Sequence, residues 1–276
     1  METSNIQDFK TKGFVAVPYP QDLRNAVRQV VPLWKKFCAL SMELKSAFPY
    51  FDIGGGSGYE YKDGSGNKGD RKENFDFCIQ GLPRLMSQAH YVESQTILEY
   101  ITSATALIDM IKPFTLDFAC QVERTFGLAG FSDEITDESI FVRFIHYFPT
   151  EKVGEETANP HCDKTGFTLH LFENEIGLQC LGFDGKWIPM PVSESQTVII
   201  PGMQMQLRSL GELKALCHRV EANEVTARDG RFSAVCFVML TKTPRYNKDA
   251  YGRLQERAPG WNYTVPAKEF AKYFKK

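Results

Sequence analysis

Two histidines and an aspartate occur at a spacing that suits a metal ion. The chain holds only five histidines, so where they fall is informative. His161-Cys162-Asp163 has the form H-x-D. On an extended strand the side chains at i and i+2 share a face, so this imidazole and this carboxylate can reach one ion. Alone the pattern is weak, because two-residue motifs recur by chance. His218 adds a third donor, in the strand-like run CHRVEA that follows after 54 intervening residues. Two strands folded back in a β core can set it opposite the first pair. Two imidazoles and one carboxylate on one face of iron(II) leave the other coordination positions open, the arrangement of oxygen-activating iron enzymes. The same donors also suit a hydrolytic zinc ion.

A second pair follows. Arg231-Phe232-Ser233 comes 12 residues after His218 and opens the apolar run AVCFVML. Arg231 and Ser233 share a face, with Phe232 on the other. A guanidinium fork beside a hydroxyl matches a carboxylate at two points. The alternative is an internal Arg–Asp or Arg–Glu pair, since an unpaired buried charge is costly. Spacing alone leaves both open. Strand alternation also turns Cys162 and Cys217, neighbours of candidate ligands, away from the ion as small apolar filler.

These residues need a scaffold. Residues 21–45 place apolar side chains at helical spacing, with Pro32 expected to kink or split the helix. Residues 49–70 carry the run Gly54-Gly55-Gly56-Ser57-Gly58. No Lys-Ser or Lys-Thr follows it, so it reads as a mobile loop and not a phosphate cradle. Residues 92–127 are helical in pattern. After residue 138 short β-branched and aromatic runs recur: SIFVRFIHYF, GFTLHLF, GLQCL, KWIPM, QTVIIP, MQMQLRS, CHRVEA and RFSAVCFVML. Turn residues separate them, as a sandwich or barrel requires. The end, AKEFAKYFKK, reads as a short helix. The chain is therefore expected to be one α+β domain around a double-sheet β core. Its parts are a mainly helical region over 1–135, the core with the metal site over 136–240, and a C-terminal lid segment over 241–276.

Composition narrows the function classes. Hydrophobic residues make up 43% of the 276, enough to build a sizeable core. Lys and Arg number 32 against 34 Asp and Glu, so the basic excess that suits a phosphate backbone is missing. No apolar run reaches the 18 residues or so of a membrane span. The N-terminal residues lack the apolar stretch of a secretory signal. Seven scattered cysteines without a CxxC pair suit reduced thiols. The expectation is a cytoplasmic protein with a small-molecule substrate and neither nucleic-acid nor membrane partners.

The order H-x-D, His, Arg-x-Ser resembles the iron(II)/2-oxoglutarate oxygenases of the isopenicillin N synthase-like family. The resemblance reaches beyond the ligands. Gly177-Leu178-Gln179 with Gly185-Lys186-Trp187 looks like the family's GLQ…GxW segment, and Gly211 to Ala215 like its stretch before the distal histidine. His146-Tyr147-Phe148-Pro149 resembles its NYYP strand. Gly13-Phe14, the run FCALSMELK and Lys72-Glu73-Asn74-Phe75 resemble its amino-terminal helical region. The resemblance implies a distorted double-stranded β-helix, or jelly roll, flanked by N-terminal helices and a C-terminal helix. It implies Fe(II) on His161, Asp163 and His218, and 2-oxoglutarate and O2 as co-substrates. The 2-oxoglutarate carboxylate would rest on Arg231 and Ser233.

One departure affects the co-substrate. The family's second tyrosine, which often joins Arg and Ser on the distal carboxylate, aligns with Phe148. Tyr147 is a candidate replacement donor, and His146 a candidate contact to the near carboxylate. The expected reaction is oxidation, by hydroxylation, of a C–H bond in a small carboxylate- or amine-bearing metabolite, with succinate and CO2 released. A few family members hold the substrate's own carboxylate on the Arg-x-Ser pair without 2-oxoglutarate, and this oxidase chemistry is the runner-up. A zinc hydrolase or a non-oxidative binding protein on the same scaffold is the remote alternative. Residues 54–70, with Tyr59 and Tyr61, are a further expected lid.

Overall fold

The alternating apolar runs of the C-terminal half become strands that pair antiparallel in two sheets. The computed structural model describes residues 6–64, 70–150, 152–247 and 259–274. In chain order the elements are α1 (Asp8–Thr11), β1 (Val15–Pro18), α2 (Gln21–Cys38), α3 (Met42–Ser46), β2 (Gly58–Lys62) and β3 (Lys72–Cys78). They continue as α4 (Leu82–Val92), α5 (Gln95–Phe126), β4 (Ile140–Tyr147), β5 (Glu156–His161), β6 (Phe167–Glu173) and β7 (Leu178–Leu181). Then come β8 (Trp187–Pro189), β9 (Gln196–Pro201), α6 (Met203–Arg208), β10 (His218–Glu221), α7 (Glu224–Asp229) and β11 (Arg231–Val238). The short helices Trp261–Thr264 and Ala267–Phe270 close the described chain. One sheet runs β1-β9-β6-β11-β4-β3-β2 and the other β5-β10-β7-β8. This is the expected α+β double-stranded β-helix with flanking helices.

The helices cover the outer face of the larger sheet. α2 buries Leu23, Val27, Val30, Val31, Trp34 and Phe37, a stripe at helical spacing. Trp34 stacks on Tyr100 of α5 at 5.7 Å, and Tyr100 meets Phe75, Phe77 and Phe144 of β3 and β4 edge-on. Such ring geometry adds to the area buried. Pro32 neither splits nor ends α2. It faces solvent, where the carbonyl that loses its partner can turn to water.

Four expectations change. Lys72-Glu73-Asn74-Phe75, expected in a helical region, is strand β3, and with β1 and β2 it widens the larger sheet. Six of its seven residues are buried, so no polar alternation marks it. MQMQLRS, expected as a strand, is helix α6. Its glutamines are buried because their amides bond to backbone: Gln204 Nε2 donates to Leu240 O and Thr243 O, and Gln206 Nε2 to Asn262 O. The glycine run is a tight turn into β2, with Gly55 at φ +114° and Gly56 at φ +115°, a region closed to other residues. Tyr59 is a core residue of β2 and not a lid aromatic. Residues 65–69 and 248–258 of the two expected lids lie outside the described residues. Among the described residues no helix is long and apolar enough to cross a membrane.

On the helix side of β3 and β4, Glu73 forms a buried ionic network. Its carboxylate accepts from Lys45 Nζ at 2.8 Å and Tyr59 OH at 2.7 Å, and lies 2.9 Å from His146 Nδ1. Cys38 is near enough to complete a metal-sized group with Glu73 and His146. The Lys45 ammonium already holds that carboxylate, so the cluster is a structural pair. Burial alone would raise the Glu73 carboxyl, but bonds from His146, Lys45 and Tyr59 outweigh it and hold it at about 2. Its folded value lies below its unfolded one, so its contribution is complete above pH 4.5 and is lost as pH falls towards 2. Glu73→Gln should cost about 3–5 kcal/mol at neutral pH, because Lys45 stays buried without a counter-charge. Urea unfolding should also show a flatter loss of stability below pH 4.5 in the variant. Parallel wild-type and variant curves there would count against this assignment.

Candidate metal centre

Strand pairing brings the two histidines together. His161 ends β5, His218 begins β10, and the two are direct partners in the antiparallel register. Asp163 lies beyond the end of β5, so the same-face rule for strands is not what places it. The start of α6 does that. Met203 N–H donates to Asp163 O at 2.7 Å and Gln204 N–H to Thr165 O at 3.0 Å. Gly202 allows the approach, since a Cβ there would stand 2.2 Å from Thr165 O. Thr168 on β6 then donates its hydroxyl to Asp163 Oδ2 at 2.6 Å. Oδ1 is left facing His161 Nε2 at 3.8 Å and His218 Nε2 at 3.9 Å. These separations are too long for hydrogen bonds. They are short enough for the atoms to share one ion at roughly 2 Å each.

The hydrogen bonds around the rings set the donor atoms. His161 Nδ1 lies 2.7 Å from Asn159 O, and His218 Nδ1 lies 3.2 Å from Leu216 O. A carbonyl only accepts, so each Nδ1 carries the proton and each Nε2 offers a lone pair. Burial, with His161 beside it, pushes His218 down to about 4, so its ring is neutral at physiological pH. Burial would raise Asp163, but His218, His161 and the Thr168 hydroxyl outweigh it and keep the carboxyl below its ordinary value. Two imidazole Nε2 lone pairs and an ionised carboxylate are the donor set that a divalent cation needs.

The three donors open into a cavity of about 90 Å³ between the sheets. Arg231, Ser233 and Tyr147 line it, with Tyr147 opposite Arg231 in the β4–β11 register. Arg231 is also engaged from within the protein: its Nη2 donates to Glu173 Oε2, and both side chains are buried. Glu173 does not line the cavity, so it holds the guanidinium from behind. The internal Arg–Glu pair is therefore present, together with the exposure of Arg231 to the cavity. Burial pushes the Glu173 carboxyl up despite that partner.

The structure does not bring His146 to the cavity. Its ring stacks on Phe232 at 4.0 Å on the other face of the sheet, with Nδ1 towards Glu73. The cause is strand alternation, because its neighbour Tyr147 is the inward residue. Phe148 also lies off the cavity, against Tyr61 and His146. Cys162 points away, its thiol 3.7 Å from Ala215 O. Polar lining residues that escaped the sequence reading include Lys72 with its partner Asp70, Arg143, paired with Asp76, and Thr168 and His170. A signal existed for the last two. In FTLHLF the polar residues Thr168 and His170 are at i and i+2, which puts both on the inward face of β6.

Thr168→Val should release Asp163 Oδ2 and let the carboxylate turn. Loss of such an outer-shell bond typically costs about 10–100-fold in metal affinity. Titration of the metal-free protein with Co(II) checks this, and unchanged affinity would show that the hydroxyl orients nothing.

Comparison with known proteins agrees with this geometry. Residues 137–240 match the 2OG-Fe(II) oxygenase superfamily. A protein named "Probable 2-oxoacid dependent dioxygenase" in Arabidopsis thaliana is 32% identical over 96 residues, 35% of this chain and 26% of that one. Gibberellin 20 oxidase 2 of Oryza sativa subsp. indica is 31% identical over 111 residues, 40% of this chain and 27% of that one. The aligned region thus spans about a quarter of these relatives' length. Among solved structures, the dioxygenase for auxin oxidation in rice superposes with a TM-score of 0.68 at 21% identity, over 96% of this chain and 93% of that one. The H-x-D, the distal histidine and the Arg-x-Ser pair all fall inside residues 137–240, the part of the chain that is similar to the 2OG-Fe(II) oxygenase superfamily.

Proposed function

We propose that the protein is an iron(II)- and 2-oxoglutarate-dependent oxygenase that hydroxylates a C–H bond of a small-molecule metabolite. The observation that carries this reading is the meeting of His161, Asp163 and His218 with Arg231 and Ser233 in one buried cavity. Iron(II) and 2-oxoglutarate, when bound, supply the oxidising power: O2 places one oxygen in succinate as CO2 leaves, and the other in the substrate.

The chain's own residues bind, orient and exclude water. His161, Asp163 and His218 would hold the ion through two imidazole nitrogens and one carboxylate oxygen. Arg231 and Ser233 take the distal carboxylate at two points, and Glu173 fixes the guanidinium for that contact. Leu178, Val220 and Val235 give the cavity dry walls, which strengthen each charge contact inside. Lys72 and Arg143 line the β3–β4 side, each with its own carboxylate partner. That wall suits a metabolite with a polar or acidic group at one end and an apolar C–H-bearing part near the metal. The balance of 32 basic against 34 acidic residues favours a free small molecule over a nucleic-acid polymer, and a cytoplasmic protein accords with seven reduced cysteines.

A second reading has one specific observation behind it. Arg231 already has a carboxylate partner, and the family's tyrosine is replaced by Phe148, which lies off the cavity. In that reading Arg231 and Ser233 hold the substrate's own carboxylate, and the reaction needs no 2-oxoglutarate. Anaerobic titration separates the two. The iron(II) protein should develop the weak visible charge-transfer band of the 2-oxoglutarate chelate, and Arg231→Ala should weaken that binding by about 2–5 kcal/mol. His161→Ala, Asp163→Ala and His218→Ala should each abolish turnover and leave the fold intact by circular dichroism. No band, with substrate oxidation that ignores 2-oxoglutarate, would establish the second reading. Undiminished oxygen consumption by His218→Ala would reject the metal assignment itself.

A further inference from the structure

His170 has no role in the site as described so far, yet the fold aims it into the cavity. It lies on β6, directly across from Val235 of β11, and both line the cavity. Val235 follows Ser233 and Arg231 on the same inward face of β11. On its own strand His170 follows Thr168, which holds Asp163. Its ring centroid is 5.9 Å from that of His218. His170 therefore stands on the wall between the candidate metal ligands and the Arg231/Ser233 pair.

The residue is 7% exposed, and its Nε2 is fully buried without a hydrogen-bond partner. A buried polar atom in this state costs free energy unless a ligand or ordered water completes it. His170 is not part of the metal-sized group, which comprises His161, Asp163 and His218. The other polar side chains near it are committed: the Thr168 hydroxyl to Asp163, and Arg231 Nη2 to Glu173. A carboxylate offers about four acceptor positions, so it can take a donor beyond one hydroxyl and the two parallel N–H groups that a guanidinium fork presents. The aromatic position that resembles the family's donor is Phe148, which has no hydroxyl and lies off the cavity, and Tyr147 lines the cavity from β4, opposite Arg231.

We propose that His170 is a positioning residue of the co-substrate subsite, whose Nε2–H donates to the distal carboxylate of the 2-oxo acid held by Arg231 and Ser233. This rests on the 2-oxoglutarate reading above. A neutral imidazole has one N–H to give, and Nε2 is the nitrogen left without a partner on a side chain that lines the cavity. The chain then completes the carboxylate's bonds from β6, where an apolar residue would leave an oxygen bare. It also makes the subsite selective for a dicarboxylic 2-oxo acid, since a methyl group in place of the distal carboxylate would leave both Arg231 and His170 unanswered.

The test is equilibrium binding to the anaerobic iron(II) protein, followed by the charge-transfer band and by calorimetry. The ligands are 2-oxoglutarate and 2-oxopentanoate, which has a methyl group where the distal carboxylate would be. His170→Leu should weaken 2-oxoglutarate about tenfold, the effect of one hydrogen bond to a charged group, and leave 2-oxopentanoate and iron(II) affinity within about twofold. His170→Gln, which keeps an N–H donor, should recover part of the loss. His170→Met is a second deletion variant should the leucine protein not fold. Unchanged 2-oxoglutarate affinity in the deletion variant, or equal losses for both 2-oxo acids, would overturn the assignment while the co-substrate reading stands. A wild-type protein that binds neither 2-oxo acid would overturn both together.

Discussion

A carboxylate placed in the interior has to be neutralised, and much of the core answers that requirement for Asp163. The residue is 8% exposed and stays ionised. The His218 imidazole beside it does not supply the missing charge, because burial keeps that ring neutral at physiological pH. One hydroxyl bond from Thr168 satisfies one oxygen and leaves the other facing two lone pairs. An isolated charge in such a place is costly, and a divalent cation is the partner that removes the cost. The β5–β10 register, the α6 N–H groups on Asp163 O and Thr165 O, and the Thr168 hydroxyl each fix one part of this arrangement.

The same rule governs the rest of the larger sheet. On the cavity face Arg231, Arg143 and Lys72 each have an acid: Glu173, Asp76 and Asp70. On the helix face Lys45 and His146 share Glu73. Alternation along β3 and β4 separates the two sets, so Lys72 and Tyr147 turn inward while Glu73 and His146 turn outward. The outer network ties the helical layer to the sheet. The inner pairs hold cations in place at the cavity wall, where a mobile lysine or arginine would lose side-chain entropy on meeting a ligand.

Residue type and spacing made the centre legible: His161, Asp163 and His218 converge, and Arg231 and Ser233 face the same cavity. The means of convergence was less legible. Asp163 is set by α6, whose MQMQ alternation mimics a strand because its glutamines find backbone partners far along the chain. β5 carries Asn159-Pro160 and shows little apolar alternation, so nothing local marks it as the strand that delivers His161. β3 is buried on both faces and lost the period-2 signature for that reason. His146 was misassigned because a motif gives residue identity but not which of two neighbours turns inward.

The partner of Arg231 depends on a feature that no local pattern reveals. Between Ala234 and Val235 the β11–β6 ladder shifts register, pairing Val235 with His170, Ala234 with Phe172 and Ser233 with Glu173. Leu171 is the extra residue, and a bulge of this kind redirects the side chains beyond it. Before the bulge, His170 points into the cavity; after it, Glu173 comes beside Ser233 and reaches Arg231. A regular strand would place Phe172 there, and the guanidinium would lack its internal carboxylate. One inserted residue therefore sets two features of the site at once: a guanidinium anchored from behind, and an imidazole on the cavity wall with one nitrogen unpartnered.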